Sequence, residues 1–420
     1  MTNQVFHGRW WAPDGVRRFK DVACMGTLIV EKDGSSKLEI YHDQRNSAVF
    51  RVYDKYDVVW GEVADGRKIS VFGIEMLEET KCFQASFKAH AVLVGVHIKT
   101  GHEAMFKTCV VSYPYLRNWA FIPKVKKTEL EKDVYDFVVD SRKQDHVLVD
   151  AQIDEKTKLH IYRHIEFKHD KYDTSITQST YLSFTTTTLS SPSFFVDCIT
   201  EYSQFLSLAL FSKQEPTDIW LIKDDKSSFC QLFYKVDMSV NPNSFSLIPF
   251  NKFQEKVPEI LTTWHRIYPQ ISQICNYLLS SINYDEFDAP DFLIVAQALD
   301  GYHKRFLNKK DGKDIRKYED EIKAMINHFD KVESVRKCHI DCQMMADTRH
   351  KYSHLIPDEE DEGKKIVRGD ELFRLTQKAK ILLSCCILDL LGFSQSEIDM
   401  CFGSSSFRFL IDRIDFEESE

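Results

Sequence analysis

The sequence lacks long hydrophobic runs. No stretch of about 18 consecutive apolar residues, the shortest length that crosses a bilayer as a helix, occurs in the chain. The opening residues Met1–Gln4 and those that follow also lack the basic and then apolar pattern of a secretory signal peptide. We therefore expect a cytoplasmic protein with no membrane partner.

The sequence also lacks the cysteine pattern of a disulfide framework. Its eleven cysteines are odd in number and scattered, and two of them, Cys385 and Cys386, are adjacent. Small domains held by disulfides usually carry an even number of cysteines at regular spacings. The pattern is typical of a chain that folds in a reducing compartment.

An excess of positive charge is missing as well. The formal net charge is −9, which argues against a general nucleic-acid coating protein but does not exclude an enzyme with one local basic cleft. With 43% hydrophobic and 28% charged residues, the composition is that of a globular protein. A length of 420 residues exceeds the usual size of one domain, so we expect two or three domains.

The sequence pattern of the first half of the chain predicts β-strands. Short alternating runs flank the turns Asp33-Gly34 and Asp65-Gly66, which is a strong hairpin signal. One amphipathic helix starting at Ser191-Pro192 interrupts them. We predict a β-rich region over residues 1–245, a sandwich or a barrel with an inserted helix, which ends at the loop Asn241-Pro242-Asn243.

From about residue 250 the apolar residues recur at helical spacing. The pattern predicts several amphipathic helices over residues 250–420, with Gly392 closing the last long one. Ser394 and Glu397 form a capping box for one more short helix. The fold class is therefore α+β in separate domains, with a β-rich first domain and an all-α bundle after it.

One helix of this bundle carries a candidate active site. We predict a continuous helix from near Val332 to Pro357, and it contains Arg349 and His354. A guanidinium binds two phosphate oxygens in a fork, and an imidazole transfers protons near neutral pH. Five residues along a helix correspond to about 500°, so the two side chains point about 140° apart. One subunit therefore supplies only part of a convergent site.

The surrounding residues resemble those of a known superfamily. Arg349, the polar His350 after it and His354 match the pattern Arg-[Asn/Asp/His]-x3-His late in the penultimate long helix of HEPN domains. Residues 298–303 and 388–392 resemble the same superfamily. With a β-rich region in front that opens with Gly8-Arg9-Trp10, the chain resembles the ApeA family of bacterial anti-phage proteins.

This resemblance implies an RNA endonuclease that uses the 2′-hydroxyl of its substrate and needs no metal or other cofactor. His354 would transfer the proton, Arg349 would stabilise the charge on phosphorus, and His350 would share the site. Asp300 and His303 would contact these residues and position them without touching the substrate.

The resemblance also implies a biological setting. The target would be RNA, with transfer RNA as a candidate, and its cleavage would cause abortive infection. The β-rich region would then be regulatory, sensing a phage component or restraining the nuclease. The resemblance further implies a homodimer or higher oligomer that associates through the bundle.

Four basic residues near the motif are candidates for RNA binding, since RNA requires local positive charge. They are Lys351, Lys364, Lys365 and Arg368. The alternative is that these charges are only solvated surface. We expect residues 357–369, which are charged and contain glycines, to form a mobile loop.

Two other functions stay open. The bundle is either catalytic or a non-catalytic module that dimerises and binds RNA, in which case Arg349 is a surface residue and His354 only favours the negative end of its helix. A third possibility is a zinc-stabilised module built on Cys338 and Cys342, which lie four residues apart on the predicted helix. Buried helix cysteines explain that pair more simply.

Overall fold

The computed structural model describes most of the chain, and its described residues divide into two compact units. One unit comprises Met1–Ser203 and Gln214–Val240, and the other comprises Gln204–Lys213 and Asn241–Glu420. The predicted boundary loop at residues 241–243 lies outside the described residues. The described residues are 3–12, 23–41, 56–80, 84–120, 125–131, 134–139, 145–169, 174–224, 228–237, 246–282, 289–308, 315–361 and 363–403.

The first unit consists mainly of antiparallel strands, which confirms the β-rich prediction. Its strands are β1 (Gln4–Trp11), β2 (Cys24–Val30), β3 (Ser36–Tyr41), β4 (Tyr56–Val63), β5 (Lys68–Thr80), β6 (Gln84–Ala89), β7 (Ala91–Val94), β8 (Phe106–Ser112), β9 (Val125–Glu131), β10 (Val134–Val139), β11 (Asp145–Gln152), β12 (Thr157–His169), β13 (Thr174–Ser190), β14 (Asp218–Ile222) and β15 (Phe229–Tyr234).

Six of these strands close into a barrel. The order is β5-β4-β1-β2-β3-β6, and the second half of β5 pairs with β6 to complete the ring. The predicted turns Asp33-Gly34 and Asp65-Gly66 connect β2 to β3 and β4 to β5. Alternate side chains of each strand point inwards, so the barrel encloses a single apolar core that includes Phe6, Leu28 and Phe87.

The sheet continues beyond the barrel from the first half of β5. Its further order is β7-β15-β14-β8-β13-β12-β11, while β9 and β10 form a separate hairpin. Two helices accompany these strands, α1 (Leu116–Trp119) and α2 (Pro192–Leu210), and α2 is the predicted inserted helix. Its Tyr202 ring packs 5.4 Å from the ring of Phe184 on β13, which anchors the helix on the sheet.

A tryptophan and two glycines determine how closely the barrel strands approach. Trp10 on β1 is fully buried and lies opposite Gly61 of β4. A Cβ atom on Gly61 would be 2.2 Å from Trp10 Cζ3, and one on Gly26 of β2 would be 2.9 Å from Trp10 Cδ1. The indole therefore occupies the volume that side chains at both positions would need.

The second unit is helical, as predicted. After the last part of α2, its helices are α3 (Phe250–Phe253), α4 (Val257–Ser280), α5 (Ala289–Tyr302), α6 (Tyr318–His328), α7 (Glu333–Lys337), α8 (Cys342–His354), α9 (Gly369–Leu390) and α10 (Gln395–Phe402). A π-helical turn, His303–Leu307, continues α5. No helix in the described part of the chain has the length and apolar character needed to cross a membrane.

Helix α9 forms the centre of this unit. Every residue from Ile381 to Leu388 is buried, and α9 packs against both α4 and α5. A helix that is buried on all sides belongs at the middle of a bundle. The predicted stop at Gly392 has φ of +86°, and the predicted capping box of Ser394 and Glu397 is present at the start of α10.

The prediction of one continuous helix from Val332 to Pro357 is wrong. The chain forms α7, then leaves the helical path at His339, where φ is +43°, and begins α8 only after Asp341. The Asp341 carboxylate accepts a hydrogen bond from the Met344 N–H at 3.0 Å, so this side chain caps a new helix. Cys338 and Cys342 therefore do not share one helical face. Within the described ranges, no group of three or more His, Cys, Asp or Glu side chains is arranged to hold a metal ion.

Gly61→Ala should destabilise the first unit. The added methyl would overlap the fully buried Trp10 ring, and overpacking of this kind costs about 1–3 kcal/mol. Chemical denaturation of the full-length protein measures the change. Gly101→Ala is the matched control, because a Cβ at Gly101 meets nothing within 4 Å. Equal stability of the two variants would contradict the packing argument.

Candidate active site

Helix α8 positions the candidate catalytic residues. It begins at the Asp341 cap and ends at Leu355, which adopts the left-handed conformation with φ of 51° and is 87% exposed. The Leu355 N–H bonds back to the carbonyl of Lys351, which closes the last turn. Arg349 and His354 therefore both lie within one regular helix.

The Arg349 side chain is held between two other helices. Its guanidinium carbon lies 4.5 Å from the centroid of the Tyr318 ring on α6, and one terminal nitrogen lies 3.6 Å from Asp300 Oδ2 on α5. Tyr318 is itself fixed because its hydroxyl donates to the Ala296 carbonyl at 3.1 Å. Stacking on an aromatic ring and pairing with a carboxylate both limit the orientations open to a guanidinium.

Asp300 belongs to a group of ionisable side chains, of which Asp300, His303 and Glu321 are buried. Lys304 Nζ lies 2.6 Å from Asp300 Oδ1 and 3.8 Å from Glu321 Oε1, and His303 Nδ1 lies 4.0 Å from the same Glu321 oxygen. The side chains of Glu321 and His303 are each only 1% exposed. The structure therefore brings the predicted supporting residue Asp300 directly to Arg349, and it places His303 one contact further away, beside Glu321.

The pKa values of Glu321 and Asp300 are shifted in opposite directions. Burial and the neighbouring Asp300 raise the pKa of Glu321 to about 7, against the opposing charges of Lys304 and Arg349. Burial acts to raise the pKa of Asp300 as well. Hydrogen bonds to Glu321 and Lys304 and the charge of Arg349 act against burial, and the net result is a pKa of Asp300 below its ordinary value. Asp300 therefore remains a carboxylate near neutral pH.

His350 and His354 form an exposed pair on another part of the helix surface. Their ring centroids lie 4.7 Å apart with an interplanar angle of 54°. The spacing of four residues puts them on one face of α8. The structure thus brings the two histidines together in solvent, whereas Arg349 packs inward against Tyr318 and Asp300.

The predicted RNA-binding lysine Lys351 is buried in an ion-pair cluster. Its ammonium group lies 2.6 Å from Asp358 Oδ1 and 2.7 Å from Asp361 Oδ2, and it donates to the Ile356 carbonyl at 3.2 Å. Arg368 pairs with the same two aspartates. These carboxylates offset much of the positive charge that was predicted to attract RNA.

The remaining basic candidates differ from one another. Lys365 Nζ lies 2.8 Å from Asp341 Oδ2, at the start of α8, whereas Lys364 is exposed. The Lys365 backbone N–H also donates to Asp347 at 3.0 Å, and the Val367 N–H donates to Thr348 at 3.3 Å. The described part of residues 357–369, which the sequence predicted as a mobile loop, is therefore attached to α8. RNA binding by these residues stays a prediction.

Sequence reasoning missed three residues of the Arg349 environment. Lys304 stands four residues after Asp300, a spacing that brings opposite charges together on a helix. Tyr318 and Glu321 stand three residues apart beside Ile322, so the buried face of α6 contains a carboxyl group. The signal available in the sequence was the acidic Glu321 on an apolar stripe, because a buried carboxyl group needs a polar or charged partner.

Two protein-family models match the chain. A family model described as ApeA N-terminal domain 1 matches residues 5–264, which is more than half of the chain. A second model, described as Apea-like HEPN, matches residues 293–397 and so contains Arg349 and His354. Comparisons with curated proteins and with solved structures give no match.

Lys351→Met should loosen residues 356–368 and lower the thermal stability of the protein. Methionine retains an apolar stem but removes the ammonium group that joins Asp358, Asp361 and the Ile356 carbonyl. Hydrogen exchange in residues 356–368 and the thermal unfolding midpoint measure the effect. Lys364→Met is the control, because the Lys364 side chain is exposed. The same exchange rates in both variants would show that Lys351 does not hold this segment.

Proposed function

The chain belongs to the family of the ApeA N-terminal domain 1 and continues into an Apea-like HEPN domain, and we propose on this basis that it is an anti-phage RNA endonuclease. The membership supports an anti-phage function of HEPN type. The single observation that carries the nuclease proposal is the contrast on α8: a guanidinium fixed by Asp300 and Tyr318, and two imidazoles exposed to solvent.

These groups suit the cleavage of RNA by its own 2′-hydroxyl. The 2′-oxygen attacks the adjacent phosphorus and forms a bond to it, while an imidazole of the His350 and His354 pair takes the hydroxyl proton. The bond from phosphorus to the 5′-oxygen breaks, and an imidazolium returns a proton to that oxygen. Arg349 binds the phosphate oxygens as their negative charge increases. Because the substrate supplies the nucleophile, these steps use no metal ion and do not act on DNA.

The geometry of one helix favours a site shared between two subunits. Arg349 and His354 are separated by about 140° around a straight α-helix, so their side chains diverge within one chain. A two-fold axis brings the arginine of one copy opposite the histidine of the other. We therefore propose that the active form is a homodimer, or a higher oligomer, that associates through the helical unit.

The first unit is the proposed regulatory part. It contains the barrel and the longer sheet, and the ApeA N-terminal model, which matches residues 5–264, covers most of it and ends before the HEPN match begins at residue 293. A phage-encoded trigger would act on this unit and release the nuclease, which would then cut cellular RNA and abort the infection. Transfer RNA is the proposed target.

Arg349→Ala and His354→Ala should each abolish RNA cleavage and protection against phage while the protein remains folded. Loss of a general acid or base alone typically costs about 10²–10⁴-fold in rate. Cleavage of a labelled RNA and phage plating on an expressing host measure the two effects. Arg336→Ala is the matched control, because Arg336 is exposed and lies on a different helix. If both α8 variants protect as well as the wild type, the bundle is instead a non-catalytic interaction module.

Mixing an Arg349→Ala chain with a His354→Ala chain should restore part of the activity. In a mixed dimer with shared sites, one site loses both residues and the other keeps both. Random exchange makes about half of the dimers mixed, so recovery should approach about a quarter of wild-type activity. RNA cleavage after co-refolding or co-expression gives the measurement. A fully active monomer in light scattering, or no recovery in confirmed mixed dimers, would contradict the shared site.

A further inference from the structure

Glu321 is a buried carboxyl group in an unusual environment. Both of its oxygens are inaccessible to solvent, and within the described ranges neither has a donor at hydrogen-bonding distance. The ammonium nitrogen of Lys304 and the Nδ1 atom of His303 lie 3.8 Å and 4.0 Å from Glu321 Oε1. An ionised carboxylate that is buried without direct donors is strongly unfavourable. The surroundings therefore favour the protonated form.

The neighbouring group of Glu321 is another carboxyl group, that of Asp300. Besides burial, Asp300 raises the pKa of Glu321 as a hydrogen-bonding neighbour. In the described part of the chain, neither Glu321 oxygen has a partner while both groups are ionised, because two carboxyl groups form a hydrogen bond only if one of them carries a proton. Asp300 contacts the cations Lys304 at 2.6 Å and Arg349 at 3.6 Å, so it is the member that stays ionised. The proton therefore belongs on Glu321, which then acts as the donor.

The charged and titratable groups around Glu321 come from three elements besides its own helix. They are Asp300 of α5, His303 and Lys304 of the π-helical turn, and Arg349 of α8. Tyr318 of its own helix stacks on Arg349. With a neutral Glu321, the single negative charge of Asp300 faces two cations, and the group keeps a positive charge that is available to phosphate.

We propose that Glu321 is a positioning residue of the RNA-cleaving site, which acts in its protonated form by donating to Asp300 and so fixes the carboxylate that holds Arg349. This role rests on the proposed nuclease function. When Glu321 loses its proton, a second negative charge is added behind Arg349 and repels Asp300. The guanidinium is then drawn away from the substrate phosphate or loses its fixed orientation, and cleavage slows.

The role has a consequence for pH that a purely structural carboxyl would not have. The pKa of Glu321 is raised to about 7 by burial and by Asp300, so the proton is lost as pH rises through neutrality. Glu321→Gln supplies an amide N–H donor in the same place at every pH. The Gln variant should therefore match the wild type at pH 6 and exceed it increasingly as pH rises, by about tenfold at pH 8.

The experiment compares the pH profiles of RNA cleavage by wild-type protein, Glu321→Gln and the control Asp320→Asn. Asp320 lies next to Glu321 on α6 but is exposed. The expected result is a Gln-to-wild-type rate ratio that rises with pH and an Asn-to-wild-type ratio that stays flat. Parallel profiles for wild type and Glu321→Gln would overturn the proposal. So would a folded Gln variant that is inactive at every pH, because the ionised carboxylate would then be the required form.

A second measurement separates this proposal from the proposed function. Since the pKa of Glu321 is raised from 4.5 to about 7 on folding, the folded state binds more protons in this interval, and its stability should be lost as pH rises through it. Unfolding midpoints of wild type and Glu321→Gln should therefore diverge between these pH values, with the Gln variant the more stable at pH 7.5. If the wild type shows no Arg349-dependent cleavage, the proposed function fails, and these curves alone decide whether Glu321 holds the proton. Superimposed curves would refute it.

Discussion

The contact between Arg349 and Asp300 constrains how three helices of the helical unit meet. Asp300 is nearly buried, and a buried charge is stable only with close partners of opposite sign. Helices α5, α6 and α8 must therefore meet at one point, where Lys304, Glu321 and Arg349 surround the same carboxylate. The apolar stripes place these helices in one bundle, and the charged group joins them at this point.

This constraint separates two kinds of side chain on α8. Arg349 has its orientation set by neighbours in the core, whereas His350 and His354 contact each other and solvent. A phosphate-binding cation benefits from a fixed geometry, and imidazoles that exchange protons benefit from access to substrate and water. The arrangement fits the proposed chemistry because each residue type has the environment that its role requires. In a single copy, the side chains of Arg349 and His354 point in different directions around the helix.

The first unit rests on a different constraint, which is steric. The indole of Trp10 fills the space beside two neighbouring strands, and only glycine at Gly26 and Gly61 leaves room for it. Trp10, one of the residues by which the opening of the chain resembles its family, is therefore a packing residue of the barrel.

Local patterns in the sequence determined the fold class, the two hairpins at Asp33-Gly34 and Asp65-Gly66, the inserted helix, the helical stripes and the position of the Arg349 to His354 motif. These features depend on residues that are near one another along the chain. The sequence did not reveal the break at His339, because a single left-handed residue followed by an aspartate cap outweighed continuous helical spacing. Nor did it reveal that Lys351 is buried among aspartates or that Glu321 meets Asp300. Those contacts join residues of different segments, so only the tertiary packing decided which charges face the site and which are already paired.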